Sequence, residues 1–373
     1  MKIFGNAKQI YPFRGLACQT EVALFYSDNK YSCQGFFPMK PRLIIVYFIA
    51  ALFALPVLGV FAEQPAALGV ELLSTFDYPG DVVSTQPQKI NDQSIVVGVF
   101  VDSSLVQRGF LRLRRGFFSD PLVDPNDTGN TTQGRGINND LLVCGDYLDG
   151  GTGNFHGFFL QGAAFHDFDV PGSSWTVILG LNNAGDFSGS DIPSSGVQSG
   201  FVSIGNVITE FTVAGATNTL AYQINASDQA AGYYIDSSGI THGYYRDSDG
   251  SIFSPIDPAG STGTIVFGNN DKNWIVGRYA DAAGLTHGFV FVPPDQYVTY
   301  DFPGSTFTSL NGINKRGLIV GRYLDAGGIE HGILVRVTNG ASDRSTTGAI
   351  PQRQTSQATA SQPATVEAVE PAL

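Results

Sequence analysis

Between residues 72 and 337, short apolar runs alternate with clusters of Gly, Asn, Asp and Pro, and strong helix formers are scarce. The last stretch is the clearest. Leu318-Ile-Val-Gly-Arg-Tyr323 and His331-Gly-Ile-Leu-Val-Arg336 flank the turn cluster Asp325-Ala-Gly-Gly, and Thr308 to Asn314 comes before the turn Lys315-Arg-Gly. These three segments read as short strands joined by tight hairpins, whose turns use the tolerance of Gly, Asn and Asp for positive φ. A fourth segment precedes such triplets as aromatic-Asp-x-Pro-Gly, at Phe76 to Gly80, Phe168 to Gly172 and Tyr300 to Gly304. Weaker copies stand at Val123-Asp124-Pro125 and Ile256-Asp257-Pro258, and Thr212 to Gly215 keeps only the glycine.

The pattern repeats in register. Asn91, Asn138, Asn182, Asn225, Asn270 and Asn314 are each followed seven residues later by Gly98, Gly145, Gly189, Gly232, Gly277 and Gly321. Adjacent units lie about 44 residues apart, a period of solenoids, propellers and arrays. Four strands in that length match a propeller blade. The fold class predicted is all-β: a six-bladed β-propeller of four-stranded blades. Its first aromatic-Asp strand, Leu72 to Asp77, precedes the first triplet and none follows Val337, so strands balance only if this N-terminal strand completes the last blade and closes the ring.

Most repeated residues read as scaffold. A glycine inside a strand weakens it unless something approaches closely, so the six strand glycines and the aromatics two positions later (Phe100, Tyr147, Tyr234, Tyr279, Tyr323) are expected in the core. The asparagines are expected to form turns. His156, His242, His287 and His331 occupy one place in four units, a blade apart; a histidine bonding to backbone is the expectation, and a metal ring on the axis the alternative. Two aspartate sets recur: Asp77, Asp124, Asp169, Asp257 and Asp301 before Pro-Gly turns, and Asp102, Asp149, Asp236, Asp281 and Asp325 in the second hairpin. Each is expected to bond its own turn, and together they should form an acidic collar on one face of the ring. No cofactor is expected. Calcium could use the collar oxygens, but Asp-x-x-Gly lacks the ligand density of a calcium loop.

The unit Phe-Asp-x-Pro-Gly … Gly-Ile-Asn-Asn … Ile-Val-Gly-x-Tyr-x-Asp-x-x-Gly-x-x-His-Gly-Phe resembles the bacterial extracellular HAF repeats, through His156-Gly-Phe158, His242-Gly-Tyr244, His287-Gly-Phe289 and His331-Gly-Ile333. The resemblance covers residues 72–337 and implies export and a repeat β fold, with no catalytic residue to carry over.

Composition narrows location and partners. Met39 opens a basic start and a twenty-residue apolar run from Leu43 to Ala62 that ends in small residues, so residues 39–62 read as a signal peptide cut between Ala62 and Glu63. Translation is then expected to start at Met39, leaving 1–38 as a doubtful extension and 63–71 as a linker; an uncleaved membrane anchor is the alternative. Residues 338–373, rich in Ser, Thr, Gln, Ala and Pro, are expected to be disordered. Cys18 and Cys33 fall in the extension, which leaves Cys144 as a buried apolar residue. Removing residues 1–62 leaves 15 basic against 31 acidic residues, a net charge of −16, which repels phosphate backbones and argues against nucleic acid.

Functional residues are expected where the units disagree. Arg108 and Ser199 replace the histidine, Asp191 replaces the aromatic, and Trp175 and Trp274 stand near turns, so these five make up a candidate specialised surface. No nucleophile elbow or phosphate loop is present. The expectation is an exported, monomeric module that binds a glycan or a protein. The alternative is a polysaccharide hydrolase or lyase with carboxylates converging near the channel.

Overall fold

In a computed structural model of the protein, residues 68–339 are described; the proposed extension, signal segment, cleavage point at Ala62 and Glu63, and C-terminal tail lie outside them. Apart from one short 3-10 turn at Arg114–Gly116, every regular element of the described residues is a strand. β1 (Leu68–Phe76) comes first. Blade 1 follows as β2 (Val82–Ile90), β3 (Val96–Asp102) and β4 (Gln107–Arg112); blade 2 as β5 (Gln133–Ile137), β6 (Val143–Asp149), β7 (Asn154–Gln161) and β8 (Ala164–Phe168). Blade 3 holds β9 (Thr176–Leu181), β10 (Phe187–Asp191), β11 (Ser199–Ile204) and β12 (Val207–Phe211). Blade 4 holds β13 (Ala216–Ile224), β14 (Ala230–Asp236), β15 (Thr241–Arg246) and β16 (Ile252–Ile256), and blade 5 β17 (Gly263–Asn269), β18 (Ile275–Ala280), β19 (Thr286–Val292) and β20 (Gln296–Tyr300). Blade 6 is β21 (Thr308–Ile313), β22 (Leu318–Leu324) and β23 (Glu330–Asn339).

Each blade is an antiparallel meander, and β1 pairs antiparallel with β23 from Leu68↔Asn339 to Phe76↔Gly332. The N-terminal strand therefore supplies the fourth strand of the last blade, as the strand balance predicts, and satisfies an edge that would otherwise invite intermolecular pairing. Blade 1 is less regular: beside β4 only the bridges Gly109↔Leu122 and Arg112↔Phe118 form, so the segment around Pro121 stands in for a fourth strand. Blades 6 and 1 also touch through one parallel bridge, Ser84↔Glu330, and similar bridges link Gln107↔Thr131 and Thr286↔Phe307 across other blade junctions.

The strand glycines behave as expected. A Cβ on Gly145 would run into the carbonyl oxygen of Gln133 on the inner strand and lie 2.6 Å from Phe158, and Gly98 and Gly189 face the same obstruction from Phe110 and Phe201. The core is a set of interfaces between blades, such as Ile95, Val97, Ile137, Val143 and Phe158. A recurring threonine stands near the start of each inner strand: Thr85, Thr132, Thr176, Thr219, Thr264 and Thr308 are all buried. In five blades its hydroxyl accepts a backbone N–H from the aromatic-Asp segment or its counterpart, as Phe302 gives to Thr308 at 2.9 Å. In the sixth, Pro258 occupies the donor position and has no N–H, so Thr264 Oγ1 has no hydrogen-bond partner among the described residues.

Candidate functional site: the central channel and its two mouths

The inner strands β2, β5, β9, β13, β17 and β21 line the axis. At one end their asparagines form a ring. Asn91 Nδ2 donates to Asn138 O at 2.9 Å, Asn138 to Asn182, Asn182 to Asn225, Asn225 to Asn270, Asn270 to Asn314, and Asn314 back to Asn91 O at 3.0 Å. Each Oδ1 accepts the backbone N–H groups two and four residues on, as Asn314 does from Arg316 and Leu318. The asparagines are turn formers, as expected from the sequence, and in addition they stitch blade to blade. Inside this asparagine face lies a cavity of about 60 Å³, rimmed by Asp92, Asn139, Asn183, Asp271 and Lys315.

The opposite face carries the acidic collar, as the strand order required, but its bonding corrects two expectations. The histidines do not bond to backbone. His242 Nδ1 meets Asp257 at 2.6 Å and Nε2 meets Asp236 at 3.5 Å; His287 sits between Asp301 and Asp281, and His331 between Asp77 and Asp325. His156 pairs with Asp169 at 2.9 Å. The Pro-Gly aspartates thus serve the histidine rather than their own turn, except Asp124, which accepts the N–H of Asn126. The second-hairpin set does cap its own turn: Asp281 Oδ1 accepts from Ala283 and Leu285. Burial works against the charge on His242 and His287, yet the flanking carboxylates raise both above the ordinary histidine value; on His331 the hydrogen bond that its Nδ1 donates to Asp77 dominates with the same result. A tyrosine stacks on each ring, for example Tyr279 on His287 with centroids 4.9 Å apart. Tyr147 and Tyr234 are buried, as expected, whereas Tyr279 and Tyr323 are only half-buried, short of the core position expected for them.

Every inner strand has a β-bulge at the same place, at Gln88, Arg135, Leu179, Tyr222, Phe267 and Asn311, and β2 and β13 carry a second at Val83 and Thr217. A bulge re-aims its side chain. Leu179, Tyr222 and Phe267 come from three blades and meet in one cluster with Val177, Leu220 and Tyr233. Trp175 and Phe155, whose rings meet edge to face at 5.8 Å, pack on this cluster where it reaches the collar mouth. Beside Phe267 the packing turns polar. Arg278 lies over Phe267 and Phe307, and Arg322 lies over Phe307 while donating to Gln86 at 2.7 Å. Glu330 accepts from Ser84 and Gln86 and faces Arg322 at 3.4 Å. Deeper in, Lys89 donates to Phe267 O at 2.8 Å, and burial lowers its ammonium to about 7. Asp146 is fully buried against Arg135 at 2.8 Å, and burial outweighs the arginine to raise its carboxyl.

The five residues singled out by disagreement between units do not form one surface. Arg108 takes the histidine's place and bonds Asp102 at 2.6 Å, a structural substitute for the His-Asp pair. Asp191 and Ser199 are buried inside blade 3; Asp191 accepts from Ser173, and burial raises its carboxyl to about 6. Trp274 belongs to the asparagine face, packed between the hairpins of blades 5 and 6 with Lys272 over its ring. Trp175 alone of the five packs on the cluster of Leu179, Tyr222 and Phe267. The arginine and phenylalanine partners there went unnoticed in the sequence; a signal existed, because Arg278 and Arg322 share the position after the strand glycine. Cys144 is buried, as expected, and burial pushes its thiol up.

No family model and no curated protein matches the chain. Solved structures do. A fungal lectin from Aleuria aurantia, described as a six-bladed β-propeller with a novel fucose recognition mode, is 10% identical over 76% of this chain and 98% of its own, with a TM-score of 0.42. A lectin from Burkholderia pseudomallei is 13% identical over 72% of this chain and 83% of its own, at 0.34. The β-propeller domain of the Trilobed protease from Pyrococcus furiosus is 7% identical over 73% and 100%, at 0.37. These likenesses concern the fold alone.

Proposed function

We propose that the protein is an exported, monomeric binding propeller of the HAF-repeat kind, which takes a glycan at the collar mouth of its channel. The observation that carries this reading is aromatic faces in contact with planar polar groups: Trp175 and Phe155 pack on the cluster that holds Phe267, Arg278 lies over Phe267 and Phe307, and Arg322 lies over Phe307 while bonding Gln86. Sugars present apolar C–H faces to aromatic rings and hydroxyls to amides, guanidinium groups and carboxylates, so a mouth half aromatic and half polar suits them. A hydrolase needs two carboxylates about 5 to 9.5 Å apart and free to exchange protons. Here Glu330 is held by Ser84, Gln86 and Arg322, and Asp146 is sealed against Arg135, which favours binding over turnover. The collar histidines and aspartates occupy one another and serve the scaffold.

Residues 63–373 screened on a glycan array, with reducing-sugar release followed in parallel, test the reading. Binding without sugar release is expected, and Trp175→Ala should weaken it about tenfold or more through loss of the stacking face. Release of sugar at turnover, or glycan binding indifferent to Trp175→Ala, would refute it.

A further inference from the structure

The asparagine end of the ring, opposite the collar, is divided by charge. On blades 5, 6 and 1 it carries the accessible basic residues Lys272, Lys315, Arg316, Arg336, Arg114 and Arg115 against Asp92, Asp271, Asp295 and Glu71, six minus four, a balance of +2. On blades 2 to 4 it carries Arg246 against Asp140, Asp186, Asp228, Asp247 and Asp249, one minus five, a balance of −4. Four of the accessible basic side chains are occupied: Lys315 by Asp92, Arg336 by Glu71, Arg316 by Ser94 and Lys272 by the ring of Trp274. Among the described residues no hydrogen bond, ion pair or ring contact holds Arg114 or Arg115.

These two arginines stand at the tip between β4 and the segment that replaces a fourth strand in blade 1. The tip is closed by its own backbone. Leu113 N donates to Phe117 O at 2.6 Å and Gly116 N to Leu113 O at 3.1 Å, and Arg115 takes a left-handed φ of 71°. Phe118 packs inward, its ring 5.5 Å from that of Phe110, while Phe117 stays outside. At 67% exposure Phe117 is the most exposed large apolar residue of those described, and Leu113 is exposed beside it.

We infer that this tip docks the protein on an anionic lipid surface, with Phe117 and Leu113 entering the headgroup region and Arg114 and Arg115 meeting the phosphates. Basic charge alone would suit any polyanion. Exposed apolar side chains next to unpaired cations match a lipid boundary, where apolar groups find cover and cations meet headgroups. The net charge of −16 does not oppose this, because the acidic collar lies at the other end of the strands. β3, seven residues long, separates the two ends by about 23 Å, nearly three Debye lengths at physiological ionic strength. The apolar run that ends at Ala62 is joined to Leu68 by five residues, about 20 Å at full extension. Leu68 pairs with Asn339 at the asparagine end, so a bilayer that receives the run lies within reach of this tip's end of the ring.

The test sediments residues 63–373, which lack the apolar run, with vesicles of phosphatidylcholine and phosphatidylglycerol in low and high salt. Pure phosphatidylcholine vesicles and soluble polyphosphate serve as comparisons. The informative variants are the double substitution Arg114→Gln with Arg115→Asn and the single Phe117→Ser. All three positions are exposed and asparagine tolerates the left-handed φ, so both variants should fold. Salt-sensitive binding to the anionic vesicles is expected, about thirtyfold weaker without the two arginines and about tenfold weaker without Phe117. No binding to anionic vesicles, equal binding to neutral ones, binding unchanged in either variant, or binding of polyphosphate in place of vesicles would each overturn the inference. Glycan binding at the collar involves none of these residues, so its success or failure is read separately.

Discussion

Asn314 closes the asparagine ring across the seam between the last blade and the first, and its replacement isolates what that ring contributes. Its side chain makes three hydrogen bonds in a buried setting: Nδ2 to Asn91 O at 3.0 Å, and Oδ1 from Arg316 N at 3.0 Å and Leu318 N at 3.1 Å. At about 1 kcal/mol each, Asn314→Ala should cost about 3 kcal/mol. In a domain of this size that corresponds to a fall in Tm of about 6 to 12 °C. Asn314→Asp keeps both accepted bonds but turns an anionic oxygen toward a carbonyl. Its penalty should match that of alanine at pH 7.5 and shrink toward pH 5, where a neutral carboxyl regains a donor. The exposed neighbour Lys315→Ala should stay within about 1 °C, as surface changes do. Differential scanning calorimetry of the four proteins measures this. A fall of under about 2 °C for Asn314→Ala, or an aspartate penalty that does not change with pH, would refute the idea that the ring holds the blades together.

Other perturbations read other parts of the scaffold. The raised values of His242, His287 and His331 mean that their ion pairs stabilise the fold fully below the ordinary histidine value of about 6.5 and that this contribution is lost as pH rises through the higher folded values. The urea midpoint should therefore drop between pH 6 and pH 9, and the triple His→Gln variant should flatten that slope. Starting the chain at Gly80 removes β1 and leaves the edge of β23 unpaired, so size-exclusion with light scattering should find oligomers or aggregate; a well-folded monomer would count against closure by this strand. Thr308→Val should cost about 1 to 2 kcal/mol by orphaning the N–H of Phe302, whereas Thr264→Val, facing Pro258, should be nearly neutral; equal costs in chemical denaturation would contradict the role assigned to the hydroxyl.

The architecture was legible because its determinants are local and repeated. Period, turn chemistry and the count of strands at each end fix six blades and their closure without any knowledge of contacts. The collar was legible for the same reason: two turns that follow alternate strands must share a face. What could not be read was who faces whom across the axis. The link from Asn314 to Asn91 joins residues 223 apart, and the histidine partner of Asp77 lies 254 residues away. Nor does any local signal say that a bulge turns Tyr222 and Phe267 inward, or that Asp191 and Trp274, both exceptional in the alignment of units, are a buried core acid and a hairpin prop. A ring of six equivalent four-stranded units follows from the chain's local pattern, because hydrophobic period and turn residues act within one unit. Which of the exceptional residues converge depends on ring closure, which brings together side chains that no spacing along the chain relates.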